Sequence, residues 1–190
     1  MKKVTICITG SIAAHKIPLI IEELARYPLT IHVAMTKKSA AFVSPLTLEI
    51  ISKNKIVTEG MTAQVYDTVD HVFLAQETDL IVIMPATADI IGKVANGIAD
   101  DIVSSICMAI PADKPKLICP AMNTEMYNQS ILQENLAKLA HRNYKEIPPR
   151  VDILTSGKRG IGALAEAHVI INQIVSELNV SQADMMLATV

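Results

Sequence analysis

Tryptophan is absent from the 190-residue sequence, and only four tyrosines and two phenylalanines are present. Apolar residues nevertheless reach 51%, so the hydrophobic surplus is aliphatic, carried by Ile, Leu, Val, Ala and nine Met. Charge is scarce as well. Asp, Glu, Lys and Arg make up 19% of the chain, below the roughly 25% of an average domain, which excludes a disordered polymer. Seventeen basic side chains against nineteen acidic ones leave a net charge of −2. That balance offers no electrostatic footprint for a phosphate backbone, and nucleic acid is not an expected partner.

Cysteine is equally sparse. Cys7, Cys107 and Cys119 are odd in number and lack CxxC spacing, which excludes a disulfide scaffold and leaves buried thiols in a reducing compartment. His15, His32, His141 and His168 show no ligand spacing, so no metal is expected. Long apolar runs are missing. The most hydrophobic window, 80–84, meets Pro85, far short of the ~18 apolar residues of a membrane helix. The apolar start of the chain breaks at Thr9-Gly10-Ser11, too early for a signal peptide. The expectation is a soluble, cytoplasmic protein without membrane contact. GxGxxG, P-loop, GxSxG and HExxH motifs are also lacking.

What is present is an alternation of strand and helix. Residues 4–9, 30–35, 80–84 and 116–119 are short, β-branched-rich runs with little polar alternation, the pattern of strands covered on both faces. Ile17, Ile20, Ile21 and Leu24 recur at helical spacing, as do Ile90, Ile91, Val94 and Ile98, and later Ile170, Ile171, Ile174, Val175 and Leu178. Ser130-Ile131-Leu132-Gln133 has the form of a capping box with Ser130 at the N-cap, leading a helix that carries Leu132, Leu136 and Leu139. The order predicts an α/β fold: a three-layer α/β/α sandwich around a parallel sheet, flavodoxin-like or Rossmann-like, with ligand chemistry at the carboxyl ends of the strands. One domain is expected over residues 1–180, with a tail at 181–190. Within it, 148–166 reads as a long flap, containing Gly157, Gly160, Gly162 and the basic pair Lys158-Arg159.

The strand ends carry the chemistry-bearing residues. Gly10 and Ser11 lie where a first strand feeds a helix, a place where backbone N–H groups receive a phosphate or a ring carbonyl. After the second strand, Thr36-Lys37-Lys38-Ser39 offers hydroxyls and positive charge but no acid for a ribose. It is either a solvated cap or the seat of a mononucleotide's terminal phosphate. Pro85-Ala86-Thr87-Ala88-Asp89 follows the third strand: Pro85 is expected to end it, Ala86 and Ala88 permit close approach of a flat ligand, and Thr87 and Asp89 cap the next helix or reach the ligand. Pro120-Ala121-Met122-Asn123 repeats the arrangement after the fourth, with an amide at Asn123 that both donates and accepts. His71 stands just ahead of the third strand, either as a structural histidine or as a base.

Taken together and in order, Thr9-Gly10-Ser11-Ile12, Met35-Thr36, His71, Pro85 to Asp89, Asn96-Gly97-Ile98-Ala99-Asp100-Asp101, Pro120 to Met126 and Gly160-Ile161-Gly162-Ala163-Leu164-Ala165-Glu166 resemble the homo-oligomeric flavin-containing cysteine decarboxylases. The resemblance implies FMN held by Gly10, Ser11, Ile12, Thr36, Ser39, Pro85, Ala86, Thr87, Ala88, Asp89, Ala121 and Met122. It also implies catalysis by His71 and Asn123, and substrate contacts from Asn123, Met126, Ser156 and Gly157. It further implies a clamp in the glycine-rich flap and a trimeric unit, at times assembled into dodecamers, with its site between subunits.

Two branches of that family compete. Phosphopantothenoylcysteine decarboxylases of coenzyme A biosynthesis carry a Cys in the clamp that helps return hydrogen to an enethiol intermediate, whereas the peptidyl-cysteine decarboxylases of lantibiotic-type biosynthesis lack it and release the enethiol. Here the clamp reads Leu154-Thr155-Ser156-Gly157-Lys158, and Ser156 stands at the Cys position. A serine hydroxyl is a far weaker acid than a thiol, which favours the peptide branch and oxidative decarboxylation of a C-terminal cysteine. The Gly-Ile-Gly-Ala-Leu-Ala-Glu run is closer to the coenzyme A branch, the alternative. A flavin-binding regulatory subunit is the reading of another class, expected to carry long acidic or Ser-rich stretches that this sequence does not contain. The chemistry itself demands an electron sink, because CO2 leaving a cysteine carboxylate abandons an unstabilised carbanion. Oxidation of the thiol-bearing carbon to a thioaldehyde first creates one.

Overall fold

The computed structural model describes residues 1–59 and 69–180; the tail at 181–190 lies outside them. Six parallel strands form the main sheet in the order β3-β2-β1-β4-β5-β6. They are β1 (Lys2–Ile8), β2 (Leu29–Met35), β3 (Ile56–Thr58), β4 (Leu80–Ala86), β5 (Lys116–Pro120) and β6 (Tyr144–Glu146). Alternate residues of each strand enter different cores. Val4, Ile6, Ile8, Leu80, Val82 and Met84 pack on one face, and Cys7, Ile81, Ile83 and Ile118 on the other. Both faces are apolar because both are roofed by helices, which is why the strands read as unbroken hydrophobic runs.

The first face is covered by α1 (Ile17–Leu24), α2 (Pro45–Ser52) and α8 (Ala167–Leu178). The second is covered by α3 (Asp70–Glu77), α4 (Ala88–Asn96), α5 (Ile102–Ala109) and α7 (Ser130–Ala140). The expected faces of α1 and α8 hold: Ile17, Ile20, Ile21, Leu24, Ile170 and Ile174 are almost completely buried. Each such side chain contributes about 1.5–3 kcal/mol by leaving water. The α/β/α sandwich is therefore present as expected.

Four local expectations change. Pro85 does not end its strand; β4 runs on to Ala86, with a register shift against β5 between Ile83 and Ala86 that absorbs the missing proline N–H. Ile98 is not on the α4 face, because Gly97 adopts a left-handed C-cap and Ile98 lies beyond it, half exposed. Ser130 is the first helical residue of α7, not its N-cap. Gln129 caps without a side-chain bond, and Gln133 Nε2 donates instead to the Tyr127 carbonyl at 2.6 Å. The capping box belongs to α5, where Asp101 Oδ1 accepts from Ser104 N at 2.7 Å and Asp101 N donates to Ser104 Oγ at 3.0 Å.

The fourth is the flap. Residues 148–166 are no long loop but an antiparallel hairpin of β7 (Arg150–Ile153) and β8 (Arg159–Ala163). Its turn is closed by Gly157 N donating to Leu154 O at 2.8 Å and Leu154 N donating to Lys158 O at 2.9 Å. At its base the Arg150 guanidinium reaches Glu166 at 3.1 Å and the Leu164 carbonyl at 3.2 Å.

Candidate active site

In this strand order the chain leaves β1 in one direction through β2 and β3, then crosses back to β4 on β1's other side. The crevice between the carboxyl ends of β1 and β4 is thus the topological switch point, where such sheets bind ligands. Side chains tie its walls together. Thr9 Oγ1 donates to the Pro85 carbonyl at 2.6 Å and accepts from Thr87 N at 3.2 Å, joining the two strand ends.

A cavity of about 560 Å3 opens there, walled by Thr9, Gly10, Thr36, Thr87, Ala88 and Asp89 together with Lys37, Lys38, Glu59, Lys93, Asp101 and Met126. Glu59 bridges its two sides, Oε2 accepting from Lys37 N at 2.6 Å and Oε1 from Ile102 N at 2.7 Å. Lys93 gathers three carboxylates, with Asp100 and Asp101 at 2.9 Å and Asp89 at 3.4 Å, and these hold its ammonium pKa well above the ordinary range. Burial alone would raise the Asp101 carboxyl; the Ser104 hydrogen bonds and Lys93 outweigh it and leave the pKa lowered. Among the described residues, the Thr36 hydroxyl is the one buried side-chain oxygen of this cavity's lining without a partner. An orphaned buried hydroxyl costs about 1–3 kcal/mol, which an acceptor entering the cavity would relieve. Ser39, three residues on, is the opposite case, fully buried with its hydroxyl donated to the Thr36 carbonyl at 2.7 Å.

A second cavity, about 310 Å3, lies on the far side of the β1 end, under the hairpin. Ser11, Ile12, His15 and Lys16 form one wall, Ala121, Met122 and Asn123 another, and Asp152, Leu154, Thr155 and Ser156 contribute from the hairpin. Two glycines let the hairpin dock. A Cβ on Gly162, whose φ is +141°, would stand 2.0 Å from the Met122 carbonyl oxygen, and one on Gly160 would stand 2.2 Å from Thr124 Oγ1. In their absence Met122 N donates to Gly162 O at 2.9 Å and Thr124 Oγ1 to Ile161 O at 2.7 Å. Asn123 is the N-cap of the short α6 (Thr124–Tyr127), its Oδ1 accepting from Glu125 N at 2.8 Å. That bond assigns the amide orientation and leaves Nδ2 to donate to a ligand, as a carboxylate requires.

The residues singled out from the sequence therefore divide. Gly10, Thr36, Thr87, Ala88, Asp89 and Met126 wall the first cavity; Ser11, Ile12, Ala121, Met122, Asn123 and Ser156 wall the second. Pro85 and Ala86 are buried in β4, and Gly157 sits in the hairpin turn with a positive φ. None of these three, nor Ser39, walls either cavity. His71 is half buried in the first turn of α3, and among the described residues it walls neither cavity. Sequence reading missed Glu59, Lys93 and Asp101 in the first cavity and His15, Lys16 and Asp152 in the second. The three cysteines are free and buried as expected, and burial pushes the Cys107 thiol up to about 12. Among the described residues no helix is long and apolar enough to cross a membrane.

Comparison with known proteins bears on the family and the fold. The family model described as Flavoprotein matches residues 1–179. A probable phosphopantothenoylcysteine decarboxylase of Streptococcus mutans is 38% identical over 93% of this chain and 99% of its own. The coenzyme A biosynthesis bifunctional protein CoaBC of Borreliella burgdorferi is 39% identical over 94% of this chain, which spans only 45% of that longer protein. Among solved structures, a Cys-to-Ser mutant of PPC decarboxylase complexed with pantothenoylaminoethenethiol superposes with a TM-score of 0.81, at 28% identity, covering 91% of this chain and 96% of that one. The FMN-dependent cysteine decarboxylase SpaF superposes at 0.78 with 25% identity, over 93% and 97% of the two chains.

Proposed function

The chain belongs to the flavoprotein family, and from that premise we propose that it is an FMN-dependent cysteine decarboxylase whose substrate is phosphopantothenoylcysteine. The observation that carries the substrate is the 38% identity, over nearly the full length of both chains, to a probable phosphopantothenoylcysteine decarboxylase. This reverses the preference for a peptide drawn from Ser156. The peptide reading keeps one observation in its favour, the hydroxyl at position 156 in the wall of the second cavity.

The first cavity fits FMN on its own evidence. Its wall holds the unpartnered Thr36 hydroxyl, Gly10 at the strand-to-helix turn, and, on the β4 side, Ala88 with nothing larger than a methyl group. FMN bound there supplies a two-electron acceptor for oxidation of the cysteine's thiol-bearing carbon, the step that prepares CO2 loss.

The protein's own groups orient and enclose. Asn123 Nδ2 holds the substrate carboxylate, the docked hairpin covers the cavity against water, and His71 takes the proton from the cysteine. Because, among the described residues, His71 walls neither cavity of its own chain, this assignment calls for a site completed between subunits. Exposed Leu19, Leu46 and Ile50, each at least 64% accessible, suit such a homo-oligomer, and sedimentation at low micromolar concentration tests it. A stable, active monomer would end that part of the reading.

Product mass decides the function. Given phosphopantothenoylcysteine, the enzyme is expected to release CO2; if Ser156 fails to return hydrogen, the product is lighter by two further hydrogens, and Ser156→Cys yields the fully reduced amine thiol. The solved Cys-to-Ser mutant with pantothenoylaminoethenethiol is a precedent for an enethiol held by a decarboxylase carrying such a change. Turnover of a Cys-terminated peptide with no turnover of phosphopantothenoylcysteine would overturn the substrate assignment.

A further inference from the structure

The short α6 stands between the two cavities and serves both. Met126 walls the first, while Met122 and the N-cap Asn123 wall the second. Four residues make a single helical turn, too little to be stable by itself, so its position is set by whatever holds it. At its start the ties run to the hairpin, from Met122 N to Gly162 O at 2.9 Å and from Thr124 Oγ1 to Ile161 O at 2.7 Å. At its end they run to the body of the fold. Gln133 Nε2 of α7 donates to Tyr127 O at 2.6 Å, and Tyr127 Oη donates at 2.9 Å to Oε1 of Glu146, the last residue of β6. Glu146 is half buried, and among the described residues Tyr127 is the one hydrogen-bond partner of its carboxyl group. Burial raises the Glu146 pKa and the Tyr127 bond partly offsets it; burial, together with Glu146, pushes the Tyr127 phenol up to about 12, so it remains a proton donor at neutral pH.

We propose that Tyr127 and Glu146 are positioning residues for decarboxylation: the pair fixes α6 so that Asn123 presents its amide to the substrate carboxylate in the orientation from which CO2 leaves. The inference rests on the decarboxylase reading above and deepens it. Tyr127 N donates to the Asn123 carbonyl at 3.0 Å, and Asn123 Oδ1 accepts from Glu125 N at 2.8 Å. The residue that holds the substrate and the residue that holds the sheet are thus the two ends of one hydrogen-bonded turn, and displacing one displaces the other. As CO2 departs, the electron pair of the breaking C–C bond becomes a C=C bond and the thiocarbonyl sulfur takes the negative charge. That bond must therefore stand perpendicular to the thiocarbonyl plane, an alignment set by whatever holds the carboxylate, and a misplacement of about 1 Å costs about 100-fold. Among the described residues, Tyr127 and Glu146 wall neither cavity, so the pair acts through Asn123 and not on the substrate.

The experiment measures kcat and KM separately on FMN-loaded enzyme with phosphopantothenoylcysteine, with bound flavin quantified from absorbance and stability from urea unfolding. Tyr127→Phe keeps the ring that packs on the second core and removes only the donor. Its kcat is expected to fall by about 10- to 100-fold, the range for a hydrogen bond to a charged group, with KM within about threefold of wild type and flavin retained. Glu146→Gln keeps an acceptor for Tyr127, and its kcat is expected to stay within about threefold of wild type; Glu146→Leu removes the acceptor and is expected to match Tyr127→Phe. The double variant Tyr127→Phe/Glu146→Leu separates position from stability. It removes the carboxylate that Tyr127→Phe leaves without its partner, so it is expected to unfold at higher urea than Tyr127→Phe, while its kcat stays as low as in either single variant. A Tyr127→Phe enzyme within twofold of wild type in kcat overturns the inference and leaves the decarboxylase intact. So does a kcat that recovers along with stability in the double variant, or a Glu146→Gln enzyme as slow as Glu146→Leu. Wild type that decarboxylates neither phosphopantothenoylcysteine nor a Cys-terminated peptide removes the underlying reading itself, an outcome distinct from all the others.

Discussion

The sharpest structural commitment is that the hairpin must dock on the Met122 carbonyl, and Gly162→Ala tests it with one methyl group. The added Cβ would sit 2.0 Å from that oxygen, where normal contact needs about 3.4 Å, so the two strands must separate by roughly 1 Å or more. A side chain at φ +141° also costs about 1–3 kcal/mol of backbone strain. Separation stretches the 2.9 Å bond from Met122 N to Gly162 O, worth about 1 kcal/mol. Together these shift hairpin docking by about 2–4 kcal/mol, or about 30- to 900-fold. Displacements of this size at a site cost about 100-fold in rate, so kcat/KM for decarboxylation, followed by CO2 release, should fall within that range. The cores on the two sheet faces do not contain Gly162, so flavin binding and cooperative unfolding should persist. Trypsin should cut faster after the exposed Lys158 and Arg159. Activity within twofold of wild type, with unchanged nicking, would refute the claim that the docked hairpin forms the working site.

Other substitutions probe single groups. Thr36→Val replaces the unpartnered hydroxyl by an isosteric methyl; FMN affinity should fall about tenfold by equilibrium dialysis while the apoprotein melts at the same temperature or a few degrees higher, and unchanged affinity would detach Thr36 from the cofactor. Asn123→Asp keeps the acceptor that caps Glu125 but sets a carboxylate against the substrate's own, so turnover should drop more than about 100-fold without loss of fold. His71→Asn should abolish decarboxylation with flavin retained, and near wild-type turnover would return His71 to a structural role. Asp101 has a lowered pKa in the folded state, so its stabilisation is complete above the unfolded value of about 3.9 and is lost as pH falls through the folded one. Asp101→Asn should therefore be less stable than wild type in urea at pH 7, the gap closing towards pH 2. A gap that is equal at both pH values would contradict the coupling.

How much of this was legible beforehand depended on whether a residue's role was local. The strands β1, β2, β4 and β5 announce themselves because burial on both faces demands unbroken apolar runs. By contrast β3 and β6 are three-residue strands at the two edges of the sheet, too short for periodicity to register. The hairpin reads as a loop because Val151 and Ile153 remain exposed, and because Gly160 and Gly162 serve the close approach to Thr124 and Met122 rather than a turn. Ser130-x-x-Gln133 matches a capping motif that Asp101 and Ser104 actually form. The motif specifies compatible side chains, and the path by which the chain enters the helix decides between them.

The site divides along the same line. Residues at strand ends could be assigned because an open parallel sheet places every carboxyl end on one edge, whatever else the fold does. Glu59 and Lys93 could not, since each gains its meaning from partners on other segments: Lys37 and Ile102 for the first, Asp100 and Asp101 for the second. Thr36 and Ser39 make the distinction plainest. Both are hydroxyls in one Thr-Lys-Lys-Ser stretch and look equally fit for a phosphate. Yet Ser39 spends its proton on the carbonyl of Thr36 itself at 2.7 Å, which fixes the turn, whereas the Thr36 hydroxyl is buried without a partner in a residue that walls the first cavity. One hydroxyl shapes the turn and the other stays uncommitted, and only the backbone path after β2 determines which does which.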